Sequence, residues 1–257
     1  MVSNLPRDLA EDVLSRLPVT SLIGVRSTCK KLNNLSKNRS FTVKHIDRIG
    51  KLNSLDDADR VDISKVFHCD GLLLCITKDR SGLVVWNPCS GQTRWVKPRN
   101  SYHILFDQYA LGYMRTNKYS LRNYKVLRFL DDYDSKVKRL LREFEIYDLN
   151  SDSWKAVDVN PDWDIQYYQR GVSLMGNTYW FAQEKLPPAV PGEVRGDISD
   201  IPDFLLCFDF TTERFGPRLS LPFHAFDLDT VTLSSVREKH LAVLFQQCGA
   251  FTIIFFL

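Results

Sequence analysis

The hydrophobic positions change period once along this chain. Over the first 45 residues they follow helical spacing. Leu9, Val13 and Leu17 recur every four residues with Leu14 beside them, while Asp8, Glu11, Asp12 and Arg16 take the other side. That pattern predicts an amphipathic helix of about three turns. Leu5-Pro6 introduces it, because proline is tolerated in a first turn. Pro18 ends it, because the ring would clash with the preceding turn. Thr20 or Ser21 caps a second helix carrying Leu22, Val25 and Cys29, with Gly24 weakening it. Leu32 and Leu35 carry the spacing into a third short segment. Three such helices enclose a very small core and rarely stand alone. The unit must pack on the rest of the chain or offer its apolar face to a partner.

From about residue 62 short apolar runs rich in β-branched and aromatic residues alternate with turn signals, which predicts strands. Leu72–Ile76 follows the turn dipeptide Asp70-Gly71, and Leu83–Trp86 runs into Asn87-Pro88, Ser90-Gly91 and then Trp95-Val96. Tyr124–Phe129, Thr178–Ala182 behind Gly176-Asn177, and His240–Phe245 have the same character. Lys136–Leu141 reads either as a charged turn or as the approach to a strand. Three copies of one pattern stand out: Trp86-Asn87, Tyr147-Asp148 and Phe208-Asp209, with the aromatics 61 residues apart each time. Each is followed by a small polar turn and another aromatic, Trp95, Trp154 or Phe215, the first turn being two residues longer. The physical reading is strand, side-chain-capped bend, strand. Such a pair cannot bury both faces alone, so neighbouring copies must stack or close around an axis.

Composition narrows the class. The chain has 257 residues, 44% hydrophobic and 25% charged, which is the balance of a folded globular protein and excludes disorder throughout. One or two domains fit this length. A net charge of +3 gives no chain-wide cationic field for nucleic acid or anionic membrane. No apolar run approaches the roughly 20 residues of a spanning helix. The N-terminus has charge where a signal peptide would be apolar. Six cysteines without Cys-x-x-Cys spacing predict reduced thiols in the cytoplasm or nucleus, and leave the sequons at Asn34 and Asn38 without meaning. The tail after Cys248 loses the turn pattern and ends on apolar residues, as a truncated or alternative C-terminus would.

The order Leu5-Pro6, Leu9, Val13-Leu14, Leu17-Pro18, Ser21-Leu22, Val25-Arg26, Cys29-Lys30 resembles the F-box, over residues 4 to about 45. Leu32 departs from it, standing where F-boxes often carry tryptophan. The resemblance implies docking on the Skp-type adaptor of a cullin-based ubiquitin ligase. By motif position the adaptor contacts would be Leu5, Pro6, Leu9, Leu14, Leu17, Pro18, Leu22 and Val25. Cys69-Asp70-Gly71 through Cys75, Val85-Trp86-Asn87-Pro88, Arg94-Trp95, Gly176–Trp180 and Phe208-Asp209 with Phe215 resemble the kelch-like F-box-associated domain of plant F-box proteins. That second resemblance runs from residue 66 to about 245, and the double glycine of true kelch repeats is absent.

Two stretches stand apart. Residues 184–203 hold four prolines and five acidic against two basic side chains, and read as an exposed insertion, either a solvated linker or part of a target-binding rim. Residues 115–142 hold nine basic and three acidic side chains interleaved with Tyr119, Tyr124, Phe129 and Tyr133. Aromatics among basic residues can read single-stranded nucleic acid. Here the aromatics fall at strand positions with the charges facing water. The basic residues of the first 50 positions are likewise scattered rather than stacked on a recognition helix. Catalytic motifs are missing: there is no Gly-x-Ser-x-Gly, phosphate loop or His-Glu-x-x-His. The five histidines are far apart, and Cys69 and Cys75 straddle a strand. No catalytic residue, cofactor or metal is expected.

The expected class is therefore α+β multidomain: a three-helix F-box at 1–47, a linker at 48–65, and an all-β, kelch-like propeller or propeller-like domain at 66–257. The expected role is that of a non-catalytic substrate receptor. It would bind a Skp-type adaptor, through it a cullin, and an unidentified target protein, with no membrane and no nucleic acid. Two other classes compete: an enzyme or sugar-binding protein on a propeller-like scaffold, and a nucleic-acid-binding protein.

Overall fold

The computed structural model describes residues 63–78, 82–87, 92–97, 107–115, 122–134, 139–185, 201–226, 229–236, 239–249 and 252–256. Their regular structure is entirely β, in four antiparallel sheets. The α+β class is thus corrected to all-β for the described residues, which contain no helix. The helical spacing is confined to the first 45 residues, and the helices expected within 1–47 lie outside the description. From Ile63 onward β-branched and aromatic side chains alternate, and such runs saturate their backbone groups across strands. The chain divides into two compact units, 1–104 and 105–257.

The described part of the first unit is one antiparallel meander: β1 (Ile63–Cys69), β2 (Leu72–Thr77), β3 (Leu83–Trp86) and β4 (Thr93–Val96). Asp70 and Gly71 join β1 to β2 with φ of 50° and 81°, the left-handed pair that a two-residue hairpin requires. The Gly71 amide donates to His68 Nε2 at 3.1 Å. Burial holds the His68 imidazole below its ordinary pKa, so the neutral ring is available to accept.

The second unit holds three sheets. A meander of β5 (Gln108–Met114), β6 (Asn123–Asp134), β7 (Arg139–Asp148) and β8 (Ser153–Ala156) comes first. Next is the path β10 (Val172–Leu174), β11 (Asn177–Glu184), β12 (Asp203–Asp209) and β13 (Arg214–Phe215). Here β9 (Trp163–Asp164) pairs with β11, and β14 (Leu219–Ser220) with β12. The third sheet is β15 (Thr230–Val236), β16 (His240–Gln246) and β17 (Thr252–Phe256). The apolar tail is therefore a strand, with Ala242 opposite Phe256 and Gln246 opposite Thr252. Residues 139–141, ambiguous in sequence, open β7.

The middle sheet is buried on both faces. Trp180, Phe204, Leu206 and Phe208 meet Leu127, Phe129, Phe144 and Ile146 of the first sheet. Their odd-numbered neighbours Phe181 and Leu205 meet Val231, Leu233, Leu241 and Val243 of the third. The ring of Phe215 lies 4.5–6.4 Å from those of Trp163, Phe208, Phe144, Trp180 and Phe129. The sequence repeat is a structural repeat. Tyr147 stands opposite Trp154, and Phe208 opposite Phe215. Asp148 Oδ1 accepts from the amides of Asn150 and Ser151, and Asp209 Oδ1 from those of Thr211 and Thr212. Asp152 and Glu213, four residues after each aspartate, share a φ near 55°. In the first copy the longer turn shifts the register, and Trp95 faces Val84 rather than Trp86.

The sheets of the second unit come close together at Gly112. A Cβ there would come within 2.2 Å of Phe210 Cδ2 and 2.5 Å of the Gly176 carbonyl oxygen. The Tyr113 amide donates to that same oxygen at 3.0 Å. Gly112→Ala should therefore cost about 1–3 kcal/mol through forced displacement of backbone. Gly216→Ala, whose Cβ would meet nothing nearer than 3.7 Å, should stay within about 0.5 kcal/mol of the parent. Urea unfolding of the two variants distinguishes these values, and equal losses would contradict the packing described.

Candidate interaction surface

The adaptor contacts implied by the F-box resemblance (Leu5, Pro6, Leu9, Leu14, Leu17, Pro18, Leu22 and Val25) all lie outside the described residues. Among the described residues no group of three or more His, Cys, Asp or Glu is placed to hold a metal ion. Cys69 and Cys75 are buried thiols. Burial pushes the Cys207 thiol up, and it also pushes the neighbouring Tyr179 phenol up to about 12.

The basic stretch departs from its reading in sequence. Lys125 and Arg128 do not face water; both are buried. Arg128, 4% exposed, donates to Asp107 Oδ1 at 2.9 Å, Glu145 Oε2 at 2.9 Å and Glu143 Oε2 at 3.0 Å. Burial alone would favour a neutral guanidinium, but Asp107 and Glu143 override it and hold the charge. Arg128 and Glu145 are cross-strand partners, so the pairing is set by the β6–β7 register. Lys125 Nζ donates to Glu213 Oε1 at 2.7 Å, and Lys155 reaches the other oxygen of the same carboxylate. Burial pushes the Glu213 carboxyl up, but the two ammonium groups outweigh it and hold it below the usual range. Asp148 is held low in the same way, with burial opposed by Asn123, the turn amides and Lys125. Lys185 Nζ donates to Asp131 Oδ2 at 2.7 Å. Carboxylates matched to cations in this manner tie neighbouring strands and sheets together.

The aromatics of that stretch are also occupied. Phe129 is core. Tyr124 meets Tyr113 edge-on at 5.6 Å, and the Arg122 guanidinium lies 4.7 Å above the Tyr113 ring. No open stacking platform results from the described members.

A solvent-exposed aromatic pair occurs elsewhere, on the connection from β9 to β10. The Gln169 amide donates to the Gln166 carbonyl at 2.8 Å, closing a turn with Tyr167 and Tyr168 at its tip. Their rings meet edge-to-face at 5.4 Å and are 59% and 64% exposed. The turn is fixed at both ends. Gln108 Nε2 donates to the Ile165 carbonyl at 2.8 Å, Gln166 Nε2 donates to Asp164 Oδ2 at 2.9 Å, and Ile165 is buried. On the far side the Gly171 backbone lies against the Trp180 indole, within 2.6 Å of where a Cβ would stand. Rigid exposed tyrosines are the side chains most enriched where proteins bind each other. The reading from sequence overlooked this turn. Its signal was Gln166-Tyr167-Tyr168-Gln169, where two adjacent aromatics cannot both face the core from one strand. Of the proline-rich stretch, residues 186–200 lie outside the description. Its flank is tied down, with Asp203 Oδ2 accepting from the Ala225 amide at 2.7 Å.

Comparison with known proteins places these observations. Residues 23–256 match the F-box associated beta propeller domain family. The chain is 63% identical over 290 residues to the F-box/kelch-repeat protein At3g16740 of Arabidopsis thaliana, across 98% of this chain and 73% of that protein. It is 49% identical over 305 residues to the F-box protein At3g17320 of the same plant, across 96% of this chain and 74% of the other. The Arabidopsis thaliana F-box/kelch-repeat protein At3g13680 is 45% identical over 288 residues, across 98% of this chain and 69% of its own length.

The ion pairs lead to two measurable outcomes. Arg128→Met leaves Asp107 and Glu145 buried without their cation, which should cost about 3–5 kcal/mol in urea unfolding. A change of under about 1 kcal/mol would show that the carboxylates are solvated. Glu213 has a folded pKa below its unfolded one, so its pairs add stability above the unfolded value and lose it as pH falls through the folded value. Glu213→Gln should be less stable than the parent at neutral pH, and the gap should close as pH falls below the usual carboxylate range. A gap independent of pH would assign the effect to something other than charge.

Proposed function

The chain belongs to the plant F-box family that carries this β-propeller domain, and from that membership we propose that it is the substrate-recognition subunit of an SCF-type E3 ubiquitin ligase. The N-terminal segment docks on a Skp-type adaptor through Leu5, Pro6, Leu9, Leu14, Leu17, Pro18, Leu22 and Val25, and through the adaptor joins a cullin. The β domain holds a target protein. The complex then works in the cytoplasm or nucleus, where the thiols stay reduced. Ubiquitin transfer is favoured because the target is kept at high effective concentration near a ubiquitin-loaded enzyme carried elsewhere in the complex. No side chain of this protein takes part in the reaction.

The observation that carries this reading is 63% identity, over nearly the whole chain, to a protein named for its F-box and kelch repeats. The paired state of Glu213 and Asp131 and the core position of Phe129 support a docking domain over an enzyme or a nucleic-acid binder. The test is co-purification with a Skp-type adaptor. The parent should retain the adaptor and Leu5→Asp/Leu9→Asp should lose it, with circular dichroism confirming that the β domain of the variant is intact. A folded parent that retains no adaptor would refute the ligase assignment.

A further inference from the structure

We propose that the outer edge of β17 pairs antiparallel with β17 of a second copy of this chain, joining two three-stranded sheets into one of six strands. The inference concerns assembly and stands apart from the adaptor reading. It begins from the way the sheets end. Among the described residues, the last strand on each sheet path is paired on one side only. An edge of that kind attracts further strands unless it is short, charged or covered. Three of the four last strands carry a cation: Arg94 in β4, Lys155 in β8 and Arg214 in β13. The exception is β17. At five residues it is the longest of the four, every residue is paired with β16, and Thr-Ile-Ile-Phe-Phe holds no charge, proline or glycine.

The occupant follows from what that strand matches. Set antiparallel against itself about a twofold axis at Ile254, β17 brings Thr252 opposite Phe256, Ile253 opposite Phe255, and Ile254 opposite its own copy. The outer pairs are β-branched against aromatic, a combination that favours antiparallel neighbours, and the central pair is β-branched on both sides. The same operation on β4 or β8 would bring two arginines or two lysines to neighbouring positions. A charged segment of another protein would find no counter-charge on β17. Growth stops at two copies. The opposite edge strand of this sheet, β15, lies against β10 and β11 of the same unit, so each copy offers one such edge and the assembly closes. Five residues a side make a small contact, so the dimer belongs to the weak, exchanging class.

The test is sedimentation velocity of the full chain over a concentration series reaching about 100 μM, which populates a dimer even at a micromolar dissociation constant. The parent should move from monomer toward dimer as concentration rises. Ile254→Lys and Ile254→Glu each set like charges together on the axis, and each should weaken self-association by about tenfold or more. Mixed in equal amounts, the two variants should recover a dimer, because lysine then faces glutamate. Ile254 is the register partner of Leu244, which belongs to neither apolar cluster, so both variants should melt close to the parent. Should either melt early, hydrogen exchange of the parent decides: the amides of residues 252–256 should be better protected at high concentration than at low. A parent that stays monomeric, dimers indifferent to both substitutions, no recovery on mixing two folded variants, exchange independent of concentration, or aggregates that keep growing would overturn the proposal. Leu5→Asp/Leu9→Asp, which tests the adaptor reading, should dimerise like the parent, so the two readings fail separately.

Discussion

A sheet buried on both faces must find an apolar neighbour for each, and the second unit is organised around one such sheet. Strands β11 and β12 send even-numbered side chains toward one neighbouring sheet and odd-numbered ones toward the other. The two cores are therefore not independent. A shift of one residue in the β11–β12 register would exchange their contents and drive Trp180 and Phe208 into the space shaped for Phe181 and Leu205. The aromatic repeat supplies the means of holding that register. Phe215, at the end of a capped turn, touches rings from both sheets of its core and from β9. The close approach at Gly112, where only hydrogen fits, fixes the spacing at the other side.

Once the apolar faces are committed, the charged residues of β6 and β7 have nowhere neutral to go. Arg128 lies between Leu127 and Phe129 and points away from the core those two share or border. Its face is nonetheless shielded, and the cost of burying the guanidinium is met by three carboxylates. Lys125, three residues back and so on the other face of β6, is also met by a carboxylate, that of Glu213 brought from the following sheet. Glu213 sits at a left-handed backbone position in the β12–β13 turn, so the aspartate-capped bend that shapes the hairpin also aims the carboxylate. Local turn chemistry and long-range electrostatics are one device here.

That linkage explains what the sequence could and could not reveal. Period, turn dipeptides and the capped aromatic repeat are local, and they located β2, β3, β11, β12 and β16, together with the Asp148 and Asp209 bends. Lys125 and Arg128 were misread because exposure depends on a partner far along the chain; Lys125 and Glu213 are 88 positions apart. The α+β class failed for a related reason: helical spacing in the first 45 residues was given equal weight with a β region several times as long. The Tyr167–Tyr168 turn was overlooked because it belongs to neither period. Two adjacent aromatics between glutamines look like a weak strand until the Gln166–Gln169 bond is seen to turn both outward.

The position of that turn follows from the same constraint that shapes the cores. Strands that bury both faces leave no lateral surface for a ligand, so recognition must move to the connections at the sheet ends. Connections differ in how firmly the sheets hold them. The β10–β11 hairpin at Met175-Gly176 is consumed in sheet-to-sheet contact, its carbonyl tied to Tyr113. The β7–β8 and β12–β13 bends are consumed in capping and in the Glu213 pairs. The β9–β10 connection is different: its ends are anchored by Gln108 and Trp180, and its tip makes no contribution to either core. Tyr167 and Tyr168 are more than half exposed and belong to neither apolar cluster.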